Sequence, residues 1–285
     1  MTVDIDFLRT WIGRTQTVTD RIDAGHLARL SATLDRDELD PQAGDPVPPA
    51  GHWIYFNPCA KAVEIGPDGH AKRGGFLPPV DLPRRMWAGG RINWLNQLQV
   101  DDTVMRTSTI ADVNYKAGKS GDLVFVLVEH QYSGSHGVCI VEEQDIVYRA
   151  APDAAEPPYP AKPAPRDSLW TRTVNPNSVL LFRYSALTFN GHRIHYDLPY
   201  VIEEEGYPGL VVHGPLIATF LMDLCRRKNA DRILTRFDYR AMSPLFHTDV
   251  FTVNGIPKDN GKGAELWAAN SDGGLGMQAV AEFSD

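Results

Sequence analysis

The second half of the chain contains one long apolar stripe at helical spacing, between Gly214 and Lys228. Apolar side chains recur there every three or four residues, and small or apolar neighbours widen the stripe. Pro215 falls in the first turn, where a helix tolerates proline, and the run ends on three basic residues, the charge that suits a helix C-terminus. The pattern predicts a buried central helix.

Shorter runs with strand-like patterning occur on both sides of this helix. In the first half, three consecutive runs are joined by glycine-containing turns, which predicts antiparallel hairpins. The first half also has a helical pattern at residues 24–34, but only residues 52–56 correspond to the long helix of the second half. These elements predict an α+β architecture in which the first half is a reduced copy of the second. The predicted strands span residues 103–115, 123–132, 138–148, 179–187, 233–242, 249–256, 264–270 and 277–283.

A proline-rich segment separates the two halves. Residues 151–168 contain six prolines and no apolar periodicity, which predicts an extended, semi-rigid linker. We therefore expect one domain at residues 1–150 and another at residues 169–285.

The composition narrows the class of protein further. The chain has 28 basic and 36 acidic residues, a formal net charge of −8, which argues against a general nucleic-acid binder. The first residues lack the features of a signal peptide, and no stretch is apolar and long enough to cross a bilayer. We therefore expect a cytoplasmic protein that binds neither nucleic acids nor membranes.

Common cofactor and metal motifs are missing from the sequence. Gly118-Lys119-Ser120 is similar to the end of a phosphate-binding loop, but Val113 stands where that loop needs glycine. No Gly-x-Gly-x-x-Gly motif follows a predicted strand, and no Gly-x-Ser-x-Gly motif occurs. The three cysteines are scattered, which indicates neither a zinc site nor a disulfide framework. The chemistry that remains needs no cofactor and no metal.

The polar groups that could carry such chemistry are concentrated just before the central helix. Asn190, His192 and His195 lie within a short segment, and Gly214 begins the helix. Hydration of a double bond conjugated to a thioester needs a base for water, a proton donor for the α-carbon and hydrogen-bond donors for the enolate oxygen. His195 is a candidate base, and the free amides near Gly214 are candidate donors to that oxygen.

Plainer interpretations of the same residues remain open. His192 and His195 could be polar residues of an ordinary loop, and the His-x-x-His-x-Asp pattern that ends at Asp197 could bind a metal. His213 could simply end a strand with its ring bonded to the backbone. Asp197 could cap a turn or a helix.

These residues resemble a motif of the MaoC-type hydratases, which runs Asp-x-Asn-Pro-(Leu/Ile)-His and is followed by His-Gly before the central helix of a hotdog fold. His195 falls on the catalytic histidine of that motif and Gly214 on its oxyanion glycine. Asn190 falls on the catalytic aspartate, His192 on the asparagine and Arg193 on the proline. The amino-acid sequence of residues 184–197 and 207–216 is similar to the sequences of the hydroxyacyl-thioester dehydratase type 2 branch. That branch includes itaconyl- and mesaconyl-CoA hydratases.

The resemblance extends to the first half and implies a fold and a substrate. Residues 74–79, 83–91 and 116–126 are similar to the degenerate N-terminal hotdog of that branch. The implied structure is a double hotdog, with antiparallel sheets wrapped on a central helix and an acyl-CoA in the groove between the halves. The first half then supplies one wall of the groove, and its histidines, including His70, are expected to lie in unrelated surroundings. Besides the catalytic His195, Asn190 and Gly214, the residues expected to bind substrate are Arg84, Arg85, Trp87, Arg91, Lys116, Lys119, Arg183, His192, Arg193, Gly209 and His213.

The resemblance favours a hydro-lyase whose substrate is a short acyl-CoA, branched or dicarboxylic, with itaconyl-CoA or mesaconyl-C4-CoA as the best single expectation. Coenzyme A would act only as the carrier of the acyl group. Alternatives are a fatty-acid-type 3-hydroxyacyl dehydratase acting on an acyl carrier protein or on CoA, a non-catalytic acyl-thioester binding module, and a hotdog thioesterase. A homodimer is compatible with each of them.

Overall fold

The computed structural model describes residues 3–38, 40–118, 121–150 and 161–284. Its helices are α1 (Ile5–Arg9), α2 (Ala24–Thr33), α3 (Ser178–Leu187), α4 (Leu198–Glu203) and α5 (Gly214–Lys228). Its strands are β1 (Thr15–Arg21), β2 (Arg84–Trp94), β3 (Thr103–Gly118), β4 (Gly121–Gly134), β5 (Gly137–Arg149), β6 (Trp170–Val174), β7 (Leu234–Ala241), β8 (Phe251–Lys258), β9 (Gly263–Asn270) and β10 (Leu275–Phe283). Short 3-10 turns lie at Gly51–Ile54, Ala62–Glu64, Arg193–His195 and Asp259–Gly261.

Both halves arrange five strands in the same order. The single sheet runs β1-β3-β4-β5-β2-β7-β10-β9-β8-β6, so each half has its first strand at an outer edge and its second strand at the centre. All paired strands are antiparallel. The halves join where β2 pairs with β7, from Gly89 opposite Arg240 to Asn93 opposite Arg236. The predicted α+β fold with two related halves is confirmed.

The central helix of the second half is α5, and its predicted bounds are confirmed. Ten consecutive residues, from Leu216 to Cys225, are buried. The helix contacts all five strands of its half, and Phe220 meets Phe251 of β8 edge to face. The first half has only the 3-10 turn Gly51–Ile54 at its centre, with Ile54 fully buried. The prediction of a shortened helix at this position is therefore confirmed in reduced form.

The prediction of a strand at residues 179–187 was wrong, because this segment is α3. The Asn177 side chain accepts the backbone N–H of Leu180 at 3.0 Å and so caps the helix. Leu181, Tyr184 and Ser185 are buried at helical spacing, whereas Phe182 remains 64% exposed. The apolar run suggested a strand because two of its residues, Val179 and Phe182, are apolar although they face solvent.

The last residues of the predicted linker pack against the second half. Residues 151–160 lie outside the described ranges, but Pro163 forms a β-bridge with Gly274 and Ala164 packs on the cluster around Trp267. Residues 161–168 therefore add to the second half. Within the described parts of the chain, no helix has both the length and the apolar character needed to cross a membrane.

Asp223 on α5 forms ion pairs with arginines of both halves. Its side chain is 2% exposed and contacts the guanidinium groups of Arg36, Arg172 (2.6 Å) and Arg227 (2.7 Å). Arg36 belongs to the first half, whereas Arg172 lies on β6 and Arg227 on α5. Three guanidinium groups therefore share one buried carboxylate, whose removal would leave them without a partner at this position.

We predict that Asp223→Asn lowers the free energy of unfolding by about 3 kcal/mol, because three partly buried arginines lose their shared anion. Denaturant unfolding at neutral pH measures this loss. Asp6→Asn is the matched control, since Asp6 pairs with Arg9 at 3.8 Å on the exposed surface of α1. Its change should stay within about 0.5 kcal/mol. Equal effects of the two substitutions would contradict the role given to Asp223.

A second buried carboxylate, Glu142 on β5, organises the polar interior of the first half. Its Oε1 accepts hydrogen bonds from Trp53 (2.9 Å) and Gln144 (2.7 Å), and its Oε2 accepts them from His52 (3.1 Å) and Tyr132 (3.0 Å). Burial alone raises the pKa of Glu142, but the hydrogen bond and charge of His52 outweigh it and lower the pKa to about 2. The reduced half thus packs around a carboxylate at the place where the second half has an apolar helix.

Because Glu142 is ionised in the folded protein, we expect the free energy of unfolding to depend on pH. Its folded-state pKa lies below the ordinary value of 4.5, so its contribution is present above that value and is lost as the pH falls toward 2. We predict that Glu142→Gln is less stable at pH 7 by about 3 kcal/mol. The difference from the wild-type protein should narrow below pH 4.5, as measured by denaturant unfolding at several pH values. The exposed Glu282→Gln should show a small difference at every pH; a constant gap for Glu142→Gln would contradict the assignment.

Candidate active site

The segment between α3 and α4 folds back on itself to present its histidines. Phe189 has a positive φ of 47°, and the Asn190 side-chain oxygen accepts the backbone N–H of His192 at 2.9 Å. A 3-10 turn then carries His195, and Asp197 caps α4 by accepting the backbone N–H of Tyr200. The capping interpretation of Asp197 is confirmed.

His195 is held in its neutral form. Its Nδ1 donates a hydrogen bond to the carbonyl oxygen of Val211 at 2.7 Å, which leaves the lone pair on Nε2. The side chain is buried, and burial together with the neighbouring His192 lowers its pKa to about 3. At neutral pH the ring therefore carries no charge, which is the form that can accept a proton from water.

His213 connects this base to the start of α5. Its ring stacks on that of His195, with centroids 3.7 Å apart and an interplanar angle of 19°. Its Nε2 shares a hydrogen bond of 2.8 Å with the Ser185 hydroxyl, whereas its buried Nδ1 has no partner among the described residues. His213 is also the N-cap residue of the helix, and its side chain does not cap it. The simple strand-end interpretation of His213 was therefore wrong.

Gly214 is the first residue of α5, so its amide lies at the positive end of the helix. A Cβ added there would come within 3.2 Å of the Trp87 ring on β2. Trp87 in turn packs against Trp53 and Tyr239, with centroid distances of 5.3 and 4.7 Å. The first half thus forms a wall directly over the start of the helix, and glycine keeps the amide accessible beneath it.

The first half also supplies polar groups that the sequence interpretation placed elsewhere. The expectation of unrelated surroundings for His70 was wrong, because its ring lies 4.0 Å from that of His192. Gly69 allows this contact: it has φ +88°, and a Cβ on it would lie 1.8 Å from the carbonyl oxygen of Gly191. The repeated wording Asp-Gly-His at residues 68–70 and Asn-Gly-His at residues 190–192 is the signal that could have identified the pair.

Arg85 is the predicted arginine that lies beside these histidines. Its charge contributes to lowering the pKa of both His70 and His192, after the larger effect of burial. Arg85 also lies opposite Tyr148 of β5, on which its charge acts. Within the described ranges Arg85 forms no ion pair with a carboxylate, so its charge is available to an anionic ligand.

Two other arginines of the predicted groove already have carboxylate partners. Arg84 Nε lies 3.3 Å from Glu205, and Arg193 pairs with Asp197 at 2.8 Å. Arg193 also donates to the Pro67 carbonyl oxygen at 3.0 Å. Arg193 therefore fastens the segment that carries His195 to the first half, and its predicted contact with substrate stays a prediction.

Arg91 does not line the predicted groove, so its assignment to substrate binding was wrong. It contacts Glu143 and, at 2.8 Å, Asp145. Its neighbour Ile92 is fully buried in the core that includes α5. Since successive residues of a strand point to opposite faces, Arg91 lies on the outer face of the sheet, away from the histidines.

The remaining predicted residues lie apart from the histidine cluster or have other contacts. Lys116 is exposed on β3, and Lys119 lies outside the described residues. Arg183 is exposed on α3. Gly209 packs against His247, whose ring would be 2.9 Å from an added Cβ.

The cluster contains three groups of metal-ligand type. Ligand atoms of Asp68, His70 and His192 lie within 4.8 Å of one another. However, the Asp68 carboxylate accepts the Nδ1–H of His70 at 3.0 Å, so these two groups are bonded to each other. We interpret the cluster as a hydrogen-bonded histidine pair with its carboxylate.

A neutral buried histidine beside an uncapped helix start, at the junction of the two halves, is an arrangement suited to a hydratase or dehydratase acting on a thioester. Residues 50–247 match the family described as hydroxyacyl-thioester dehydratase type 2. The chain belongs to this family, and so to the hydro-lyases. It is 44% identical, over 96% of both chains, to a mesaconyl-C(4)-CoA hydratase of Chloroflexus aurantiacus. It is 27% identical to a mitochondrial hydroxyacyl-thioester dehydratase type 2 of Schizosaccharomyces pombe, over 78% of this chain and 80% of that protein.

Solved structures support the fold independently. A MaoC-like dehydratase from Phytophthora capsici superposes with a TM-score of 0.73 at 12% identity, covering 99% of this chain and 98% of that one. A Mycobacterium tuberculosis protein described as a double hotdog gives a TM-score of 0.59, also at 12% identity, with 96% of each chain covered. The predicted double hotdog is confirmed.

We predict that His195→Asn lowers kcat by about 100-fold or more, because asparagine retains a donor toward Val211 but has no lone-pair nitrogen. The rate of hydration of an enoyl-thioester measures the loss. Circular dichroism and thermal unfolding serve as controls for the fold. A variant that folds normally and retains wild-type turnover would show that the base lies elsewhere.

Proposed function

We propose that the protein reversibly adds water to a short enoyl-CoA that carries a free carboxylate, of the mesaconyl-C4-CoA type. The observation that carries this proposal is the neutral His195, whose free Nε2 lies in the same site as the uncapped start of α5. This combination provides a base for water and a donor for the enolate oxygen.

The reaction needs only water as a co-substrate. The water oxygen bonds to the β-carbon while His195 Nε2 takes one of its protons. The electrons of the double bond move toward the thioester, and the Gly214 amide donates to the resulting enolate oxygen. His195 then gives up this proton to the α-carbon, so that the enoyl thioester becomes a 3-hydroxyacyl thioester and the base is neutral again. The reverse sequence eliminates water.

The substrate class follows from Arg85 and from the similarity to a mesaconyl-C(4)-CoA hydratase. In such a substrate the carboxylate sits on the carbon that water attacks, so a cation is needed beside the base. Arg85 lies near His192 and has no carboxylate partner among the described residues. A guanidinium group binds a carboxylate through two parallel hydrogen bonds. Itaconyl-CoA meets the same requirement for a cation and is the nearest alternative substrate.

Fatty-acid-type dehydration remains the second candidate, since the Schizosaccharomyces pombe relative is named only as a hydroxyacyl-thioester dehydratase. A substrate panel separates these activities. It contains mesaconyl-C4-CoA, itaconyl-CoA, crotonyl-CoA and a long straight-chain enoyl-CoA. Hydration of the first two alone supports the proposal, whereas hydration of only the long straight chain contradicts it. Release of free thiol would indicate a thioesterase, and binding without turnover a non-catalytic module.

We predict that Arg85→Gln raises KM for the carboxylate-bearing substrate by about tenfold or more, because an ion pair of this kind contributes 1.5–3 kcal/mol. For crotonyl-CoA, which lacks the carboxylate, KM should change little. Steady-state kinetics on both substrates give the comparison. Arg29→Gln is the matched control, since Arg29 is exposed on α2. A similar loss on both substrates would assign Arg85 to general CoA binding or to structure.

A further inference from the structure

Aromatic side chains fill the place in the first half where the second half has its central helix. α5 contacts all five strands of the second half, whereas the corresponding place in the first half holds the short 3-10 turn Gly51–Ile54. A turn of this length covers less of a sheet than a long helix, so side chains have to fill the remaining volume of a close-packed interior. Trp53 of the turn packs there with Trp87 of β2 and Tyr239 of β7.

A shift of register on β2 directs Trp87 into this space. Ala88 is the extra residue between Trp87 and Gly89, whose partners on β5 are consecutive. An odd number of positions separates Trp87 from Ile92, which is fully buried, so in a regular strand Trp87 would point to the outer face of the sheet. The extra residue reverses this direction. Arg85, two residues before Trp87, lies on the same inner face.

Trp87 and the rings behind it lie between the start of α5 and the polar interior around Glu142. A ring carbon of Trp87 is 3.2 Å from the position that a Cβ on Gly214 would take. Trp53 meets Trp87 edge to face at 5.3 Å, and its indole N–H donates to Glu142 at 2.9 Å. Tyr239 packs on Trp87 at 4.7 Å and is only 5% exposed.

Size and charge determine which end of an acyl-CoA meets this wall. The CoA portion is bulky and carries phosphates, so it stays on the open side of the site, where the side chains of Asp68 and His70 are 35% and 23% exposed. With the thioester oxygen at the Gly214 amide, the acyl end points inward and meets Arg85 and Trp87 on one face of β2. A longer chain would have to displace the Trp87 indole and the rings packed behind it.

We propose that Trp87 determines the length of the acyl group that the protein accepts, by closing the pocket against straight chains longer than the short acyl group that Arg85 binds. This inference rests on the proposed function, because it places the thioester oxygen at Gly214. It gives the reduced first half a role in specificity: the volume left by the missing helix is occupied by aromatic rings and is therefore closed to the substrate.

Binding of saturated acyl-CoAs tests chain length separately from catalysis. Isothermal titration calorimetry with butyryl-, hexanoyl- and octanoyl-CoA gives the affinities. We expect the affinity of the wild-type protein to fall by about tenfold or more from butyryl- to octanoyl-CoA, because the added methylenes meet a packed wall. Trp87→Ala opens the wall, so octanoyl-CoA should bind to it at least as tightly as butyryl-CoA. Equal affinities of the wild-type protein for the three ligands, or an unchanged dependence on length in the variant, would overturn the proposal.

Hydration should change in the same direction as binding. Relative to mesaconyl-C4-CoA, the kcat/KM of Trp87→Ala for octenoyl-CoA should rise by about tenfold or more over the wild-type ratio. Trp267→Ala is the matched control, because Trp267 is 3% exposed and belongs to a different core cluster from the one against which Trp87 packs. It should lower stability and leave the dependence on chain length unchanged. If circular dichroism shows that Trp87→Ala does not fold, Trp87→Leu, which removes less volume, takes its place in both measurements.

The two measurements separate failure of this inference from failure of the proposed function. If the wild-type protein hydrates no substrate of the panel, the proposed function fails, and the titrations still show whether Trp87 limits the bound chain. If the wild-type protein hydrates mesaconyl-C4-CoA and Trp87→Ala retains the wild-type preference for chain length, only the present inference fails.

Discussion

The contact between Gly69 and Gly191 is the constraint on which the geometry of the site depends. No side chain fits between these residues, since a Cβ on Gly69 would lie 1.8 Å from a carbonyl oxygen of the other turn. The two backbones therefore meet directly, and the backbone N–H of Arg193 donates to the Asp68 carbonyl oxygen at 2.9 Å. Only this approach lets a histidine from each half share one cluster.

The two halves share a strand order, but different groups fill the interior of each half. The second half fills its sheet with α5, and the uncapped start of that helix becomes part of the site. The first half replaces the helix with a 3-10 turn and the hydrogen-bonded carboxylate of Glu142. A buried carboxylate is stable when its oxygens are hydrogen-bonded, and Trp53 is one of the donors to Glu142. Trp53 also packs edge to face on Trp87, which lies over Gly214.

Elements with a strong, uninterrupted period could be predicted from the sequence. The bounds of α5 were predicted correctly, because apolar spacing, Pro215 and the basic end agree with one another. The strand prediction at residues 179–187 failed, because the apolar run outweighed the capping signal of Asn177. Residues of the site within one segment, such as His195, could be found in the same way. His70 was missed, since its loop has no periodicity and only the repeated Asx-Gly-His sequence pointed to it; the fold brings it to His192.

The pairing of β2 with β7 has a consequence for how the protein is made. About 140 residues separate the end of β2 at Trp94 from the start of β7 at Leu234. At a synthesis rate of ~5–20 residues per second, the inner edge of β2 waits roughly 7–30 s on the ribosome for its partner. An unpaired strand edge is a template for aggregation during that interval. β2 carries three arginines, Arg84, Arg85 and Arg91, which are side chains of the kind that discourage pairing of an exposed strand edge with another chain.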